Sequence, residues 1–251
     1  HGSLIEFVSG PEYLYPGEES IIKYKVTNIG NVPDEIIVDN LDLPDEWLGS
    51  FNDSLPLMIE LSAGEFEFIN MSLTPSIDYE YSQQGVHFWS IDSTSSENMS
   101  RTMVNNFSNE VGYVGSFEFD FTEGPYEALP DGWVEIEVYL SNTGNSADNI
   151  LVDTITSEGW HHTVSNYNIQ IEYASSGNVI LDIQIPANAL EWDSMNLNLT
   201  FTSDKDSDVS YSFDFDIGVI QRASLSLSSD TYWISEIPGT SGNQMLTITN
   251  I

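Results

Sequence analysis

The most suggestive chemical motif in the sequence is an alternation of aspartates. Asp204, Asp206 and Asp208 are separated by single residues in the stretch "DKDSD". Carboxylate oxygens are the ligands that Ca²⁺ prefers, and alternating aspartates begin many calcium-binding loops. An EF-hand loop, however, needs a glycine where Val209 stands and a bidentate glutamate where Phe215 stands. Two interpretations stay open, a calcium site and a solvated hairpin loop, and the failed pattern favours the loop.

The remaining acidic and imidazole groups form no recognisable catalytic set. A second place for Ca²⁺ is the boundary between domains, where Glu110, Asp34 or Asp148 could supply oxygens. With 40 Asp and Glu residues, a glycosidase-like pair of carboxylates arises by chance. His161 and His162 are adjacent, and neighbouring strand residues face opposite sides, so we predict no transition-metal site. The chain is predicted not to be an enzyme.

Aromatic residues and glycosylation motifs offer binding chemistry instead. Four tryptophans could present flat faces to sugars, namely Trp89, Trp133, Trp192 and Trp233. The alternative, which strand alternation favours, is that they are buried in the cores. Five Asn-x-Ser/Thr motifs are candidate N-glycosylation sites, at Asn52, Asn70, Asn98, Asn106 and Asn198.

The charge balance narrows the partners. The 251 residues include 40 Asp and Glu but only 5 Lys and Arg, a formal charge of -35. Such a chain is unsuited to nucleic acid or to anionic membrane surfaces, which both attract Lys and Arg. No apolar run approaches the roughly 20 residues of a membrane span, so no direct membrane insertion is predicted. The charge favours a saline or calcium-containing medium, and no cofactor other than Ca²⁺ is expected.

An internal repeat dominates the organisation of the chain. The stretch "VTNIGNVPDEIIVDN" is echoed by "LSNTGNSADNILVDT" about 110 residues later. The first copy includes Asn28, Gly30, Asn31, Asp34 and Trp47; the matching residues of the second are Asn142, Gly144, Asn145, Asp148 and Trp160. Asn250 falls where a third copy would begin. We predict domains at 1–112 and 113–221, with an incomplete third repeat at 222–251.

Strands must position these residues, because apolar and polar side chains alternate throughout. Ile22, Tyr24 and Val26 alternate with polar residues, and Ile136 and Val138 do the same in the second repeat. Turn residues recur every 8 to 12 positions or so, which is typical of sandwiches. The predicted fold class is all-β, with tandem immunoglobulin-like β-sandwiches of about seven to eight strands each.

Three local features complete the prediction. In the "N-x-G-N" loops, Asn and Gly are expected to tolerate positive φ, and the Asn side chains to bond the loop backbone. Trp47 and Trp160 are expected to close one end of each sandwich. The short connections near Gly112 and Gly218 predict a semi-rigid rod, and the opening "HGS" is typical of tag residues on a segment of a longer protein.

These motifs resemble a family of surface proteins. The strand "VTNIGN", the following "D-x-I-x-V", the tryptophan, an "L-x-x-G" turn and a later proline resemble tandem immunoglobulin-like repeats of archaeal and bacterial cell-surface proteins, nearest to CARDB-like cell-adhesion-related domains. The resemblance covers both full repeats and the start of the third. It implies secretion, tandem arrangement and stalk or adhesion roles, and it supplies no catalytic residues.

The sequence therefore predicts a non-enzymatic extracellular segment, a stalk or surface-layer-type spacer. Its expected partners are neighbouring domains of a longer chain and other surface proteins or glycans. Three alternatives stay open: a glycan- or protein-binding module, a filament subunit that assembles by strand addition, and an accessory region of a secreted hydrolase.

Overall fold

A computed structural model describes residues 1–51 and 55–220, together with the backbone of Leu225–Leu227 and Ile248–Asn250. Asn52 and Trp233 lie outside the described residues. Within the described ranges every regular element is a β-strand, which confirms the predicted all-β class. No helix capable of crossing a membrane occurs in that part of the chain.

The described part of repeat 1, residues 1–51 and 55–112, contains nine strands in two sheets. The strands are β1 (Ser3–Ser9), β2 (Tyr13–Leu14), β3 (Ser20–Asn28), β4 (Asp34–Asp42), β5 (Leu48–Phe51), β6 (Leu57–Leu61), β7 (Phe66–Thr74), β8 (Gly85–Ser95) and β9 (Asn98–Val111). One sheet has the order β1-β3-β7-β5 and the other β2-β9-β8-β4-β6. All neighbours are antiparallel except β2, which pairs with β9 in parallel.

Repeat 2, predicted over residues 113–221 and described up to residue 220, has the same plan. Its strands are β10 (Phe117–Phe121), β11 (Glu127–Ala128), β12 (Trp133–Asn142), β13 (Asp148–Thr156), β14 (His162–Val164), β15 (Asn168–Ile171), β16 (Ser176–Gln184), β17 (Ser194–Ser203) and β18 (Ser210–Val219). The sheets have the orders β10-β12-β16-β14 and β11-β18-β17-β13-β15. Two further strands, β19 (Leu225–Leu227) and β20 (Ile248–Asn250), pair with each other.

The buried side chains form two separate cores, one in each repeat. Residues from both sheets contribute to each core, including Ile22, Tyr24 and Ile36 in repeat 1 and Ile136 and Leu181 in repeat 2. The alternation predicted for β3 and β12 is confirmed, because every second residue of these strands is buried. Burial of such apolar faces drives each repeat to fold around its own interior.

The two repeats agree in hydrogen-bond register as well as in sequence. Asn28 lies opposite Ser3 on β1, and Asn142 lies opposite Phe117 on β10. Both asparagines donate from Nδ2 to the loop backbone, to the carbonyl oxygens of Val32 and Ser146 respectively. The predicted bonding of the loops by these asparagines is confirmed.

The predicted reason for glycine in these loops is wrong. Gly30 and Gly144 do not have positive φ. A Cβ on Gly144 would instead stand 2.5 Å from the carbonyl oxygen of Val114. Glycine is therefore required because another segment of backbone passes very close to the loop.

The two matched tryptophans differ in burial. Trp47 is buried in the core of repeat 1, and its indole N–H donates to the carbonyl oxygen of Tyr81 at 2.9 Å. Trp160 is only partly buried against the core of repeat 2.

Candidate functional site

A network of hydrogen bonds between polar groups lies between the two repeats. β9 ends at Val111 and β10 begins at Phe117, so residues 112–116 connect them. This connecting segment runs alongside the loop between β12 and β13, residues 143–147, through backbone hydrogen bonds. Thr143 N–H donates to the Ser116 carbonyl oxygen at 2.9 Å, and Asn145 N–H donates to that of Val114 at 3.0 Å. We call this region the junction.

Asn145 is the centre of the junction. Its side chain is fully buried and bonds backbone groups on both sides of the boundary. Nδ2 donates to the carbonyl oxygens of Ser82, at 3.3 Å, and Gly112, at 2.8 Å. Oδ1 accepts from Val114 N–H at 2.8 Å, and the Asn145 carbonyl oxygen accepts from Gln84 N–H at 3.0 Å. A single amide side chain of repeat 2 thus satisfies polar groups of repeat 1 and of the segment between the repeats.

A buried hydroxyl and carboxylate cluster lies beside Asn145. The Tyr113 hydroxyl donates to Asp148, and the Ser203 hydroxyl donates to Asp148 Oδ2 at 2.6 Å. The hydroxyls of Tyr113 and Ser203 lie 3.0 Å apart. Burial and the hydrogen bond to Asp148 raise the pKa of Tyr113 above its ordinary value, so the phenol stays protonated and keeps donating. The cluster fixes the connecting segment to β13 and β17.

Lys205 reaches back from repeat 2 to repeat 1. Its ammonium group donates to the Gln84 side-chain oxygen at 3.0 Å and to the Ser146 hydroxyl at 2.7 Å. The same group lies 5.2 Å from the centre of the Tyr113 ring, within the range of a cation–π contact. The chain has only 5 Lys and Arg residues, and one of them, Lys205, forms hydrogen bonds at the junction.

A cleft of about 440 Å³ borders the junction. Ile77, Asp78 and Tyr79 of repeat 1 line one side, while Gly144 and Tyr173 are among the residues of repeat 2 on the other. Burial, followed by the negative charges of Asp78 and Glu80, raises the pKa of Tyr173. The two repeats therefore influence each other electrostatically as well as through hydrogen bonds.

The predicted calcium ligands occupy an exposed hairpin. Asp204, Asp206 and Asp208 are all exposed in the turn between β17 and β18, and Asp206 Oδ1 accepts the Asp208 N–H at 3.0 Å. Among residues 1–51 and 55–220 no group of three or more His, Asp or Glu is arranged to hold a metal ion. The calcium site stays a prediction. Of the acids proposed at the domain boundary, Asp148 is at the junction, bonded to hydroxyl groups.

The candidate sugar-binding tryptophans are divided between core and surface. Trp89 is buried, as the alternation predicted. The same prediction is wrong for Trp133 and Trp192, which are 52% and 88% exposed. Trp133 is the first residue of β12, and Trp192 lies in a turn with a φ of 78°, so neither belongs to the inward face of a strand.

The candidate glycosylation sites within the described residues lie on strands. Asn70 and Asn106 are exposed, on β7 and β9. Asn98 and Asn198 are half-buried, and the Asn198 amide donates to Asp214 at 2.9 Å. Exposure leaves Asn70 and Asn106 accessible to a glycan, while glycosylation itself stays a prediction.

Sequence reasoning missed most of the junction. Asn145 and Asp148 were matched with residues of repeat 1, but their contacts with Ser82 and Tyr113 were not predicted, nor was the bond from Lys205 to Gln84. The signal that could have pointed to them was "GYVGS", a short glycine-bounded segment between two strongly alternating strands.

Comparisons with known proteins add no functional assignment. No family model matches the chain, and no curated protein matches it. A protein of unknown function from Porphyromonas gingivalis W83 is 14% identical, with a TM-score of 0.33 over 86% of this chain and 99% of that one. A family 123 glycoside hydrolase from Clostridium perfringens is 13% identical, with a TM-score of 0.36 over 43% of this chain and 27% of the hydrolase.

Escherichia coli alpha-2-macroglobulin is 8% identical, with a TM-score of 0.34 over 90% of this chain and 24% of that protein. These values carry no argument about activity, and the resemblance to CARDB-like domains stays a prediction.

Proposed function

We propose that the chain is a non-enzymatic segment of an extracellular stalk, surface-layer or adhesion protein, in which immunoglobulin-like sandwiches are joined stiffly end to end. Two features support the immunoglobulin-like arrangement: the neighbours β1-β3-β7 in one sheet and β9-β8-β4 in the other, with repeat 2 following the same order. The spacer-like role rests on the burial of Asn145, which joins both repeats and their connection.

The junction supports stiffness for an energetic reason. Opening it would break the three side-chain bonds of Asn145 and expose or orphan the Tyr113 and Asp148 groups. Each bond contributes about 1 kcal/mol net, and each polar group left buried without a partner costs about 1–3 kcal/mol. Bending at this point is therefore opposed, and the distance between the ends of the segment is maintained.

Small-angle X-ray scattering together with ¹⁵N relaxation tests the proposal on the full chain. One compact domain of 251 residues has a radius of gyration of about 18 Å. We expect a clearly larger value and a common rotational correlation time for repeats 1 and 2. A value near 18 Å would contradict the elongated arrangement, and separate correlation times would contradict the stiff junction.

A glycan-binding role is the second candidate, favoured by the exposed tryptophans. Trp133 is half exposed and meets the His161 ring edge-on at 5.9 Å, which leaves an aromatic surface open to a sugar face. Binding to a glycan array should be lost in Trp133→Ala or Trp192→Ala, while replacement of Asn31 serves as the matched surface control. Absence of binding by the unmodified chain would remove this candidate.

Assembly by strand addition stays a further prediction. The segment that would lend strands to a neighbour, residues 222–251, is described only through the backbone of β19 and β20.

A further inference from the structure

Repeat 1 carries the same loop that forms the junction on repeat 2, but there it is uncovered. The loop between β3 and β4, residues 29–33, is equivalent to residues 143–147. Asn145 is fully buried, whereas its counterpart Asn31 is exposed. Ile29 and Val32, in the same loop, are 54% and 39% exposed.

Behind this loop lies a buried carboxylate, and one of its two oxygens has no hydrogen-bond partner among the described residues. Asp34 lies at the position of Asp148, and its side chain is only 1% exposed. Its Oδ2 lies 3.1 Å from Nδ1 of His1, but its Oδ1 has no hydrogen-bond partner among the described residues. In repeat 2 both oxygens of Asp148 are paired. A buried acceptor without a donor costs free energy, so the site is incomplete as it stands.

The loop also keeps the glycine that a close backbone neighbour requires. A Cβ on Gly144 would collide with Val114 of the connecting segment, and a Cβ on Gly30 would stand 3.1 Å from the Cα of His1. Ile29 N–H donates to the Gly2 carbonyl oxygen at 2.9 Å, as Thr143 N–H does to that of Ser116. The chain ahead of β1 therefore enters along the path that residues 114–116 follow ahead of β10.

The hairpins next to these loops differ in charge, and this difference defines the chemistry of the partner. Glu97 of repeat 1 and Lys205 of repeat 2 each lie two residues after equivalent serines, because Ser95 and Ser203 occupy equivalent register positions opposite Ile36 and Ile150. Glu97 lines a cleft of about 470 Å³ with Asp34, Glu35, Glu60 and Glu65. An acidic cleft of this kind favours a neighbour that presents hydrogen-bond donors or basic side chains.

We infer that the β3–β4 loop end of repeat 1 docks a further β-sandwich unit joined ahead of Ser3. That unit ends in a segment like residues 112–116: two backbone carbonyls bind the Asn31 amide, a side-chain donor satisfies Asp34, and an amide or basic group faces Glu97. The inference rests on the proposed function, because it applies the geometry of the observed junction to the equivalent surface.

Hydrogen exchange on an extended chain tests the inference. A copy of residues 1–115 fused directly ahead of Gly2 places its Gly115 at the position of His1. Residues 29–33 then occur twice, and we expect amide exchange in the copy that follows the fusion point to slow by about tenfold or more relative to the parent chain, as a closed interface requires, while the other copy keeps its rate. Asn31→Ala in the extended chain should abolish the slowing. Unchanged exchange at residues 29–33, with protection retained at residues 143–147, would overturn the inference but leave the proposed function intact.

Asparagine variants of the unextended chain provide an independent measurement if the fusion does not fold. Asp34→Asn removes a buried charge whose Oδ1 is unpaired, so repeat 1 should resist urea as well as before or better. Asp148→Asn disrupts satisfied bonds and should make the unfolding equilibrium of repeat 2 about tenfold more favourable. Equal destabilisation by both variants would mean that Asp34 is already satisfied, and would overturn the inference.

Discussion

Replacement of Asn145 by alanine tests the junction most directly. The change removes three side-chain hydrogen bonds, to the carbonyl oxygens of Ser82 and Gly112 and from the N–H of Val114. At about 1 kcal/mol for each bond, closure of the junction should lose about 3 kcal/mol, which corresponds to an opening equilibrium about 100-fold more favourable. Asn145 is not a member of either hydrophobic core, so both repeats should remain folded.

Hydrogen exchange followed by mass spectrometry measures this change. Exchange in residues 112–116 and 143–147 should accelerate strongly in Asn145→Ala, while the protected strands of both cores keep their rates. Asn31→Ala is the matched control, because Asn31 holds the equivalent position in repeat 1 and is exposed; its effect should stay within about 0.5 kcal/mol. The reasoning is refuted if Asn145→Ala exchanges like the unmodified chain, or if Asn31→Ala has an equally large effect.

Three further predictions concern the phenols and the net charge. Tyr113→Phe removes the donor to buried Asp148 and should destabilise the junction by about 1.5–3 kcal/mol in urea unfolding, whereas Tyr167→Phe, at an exposed phenol, should change nothing. Burial raises the pKa of Tyr24 to about 12, so the free energy of unfolding should fall as pH rises from about 10 towards 12, because the unfolded phenol loses its proton first. Tyr24→Phe should reduce that fall without loss of stability at neutral pH. An unchanged alkaline stability profile in this variant would contradict the prediction. The charge of -35 predicts a melting temperature that rises with NaCl concentration, because salt screens self-repulsion, and a flat salt response would contradict this argument. An additional rise in CaCl₂ of equal ionic strength, lost in Asp206→Asn, would support the calcium site.

The sequence determined the strands and the repeat because these depend on local order. Alternation of apolar and polar side chains places Ile22, Tyr24 and Val26 on one face of β3, whatever strand lies beside it. Recurrence of the same motif about 110 residues later required a second unit with its own core, and the structure has two separate cores. The roles of Asn28 and Asn142 could also be predicted, because each bonds a carbonyl only four residues away.

The tertiary structure decided the junction, because its contacts join residues far apart in the chain. Lys205 and Gln84 are separated by 121 positions, and Ser203 and Tyr113 by 90. No short-range period encodes such pairs, which form only when the strands around the junction have folded and the connecting segment is in place. The same reason explains Trp133 and Trp192: alternation identifies the face of a strand, but only packing shows where a strand begins and which turn is left uncovered.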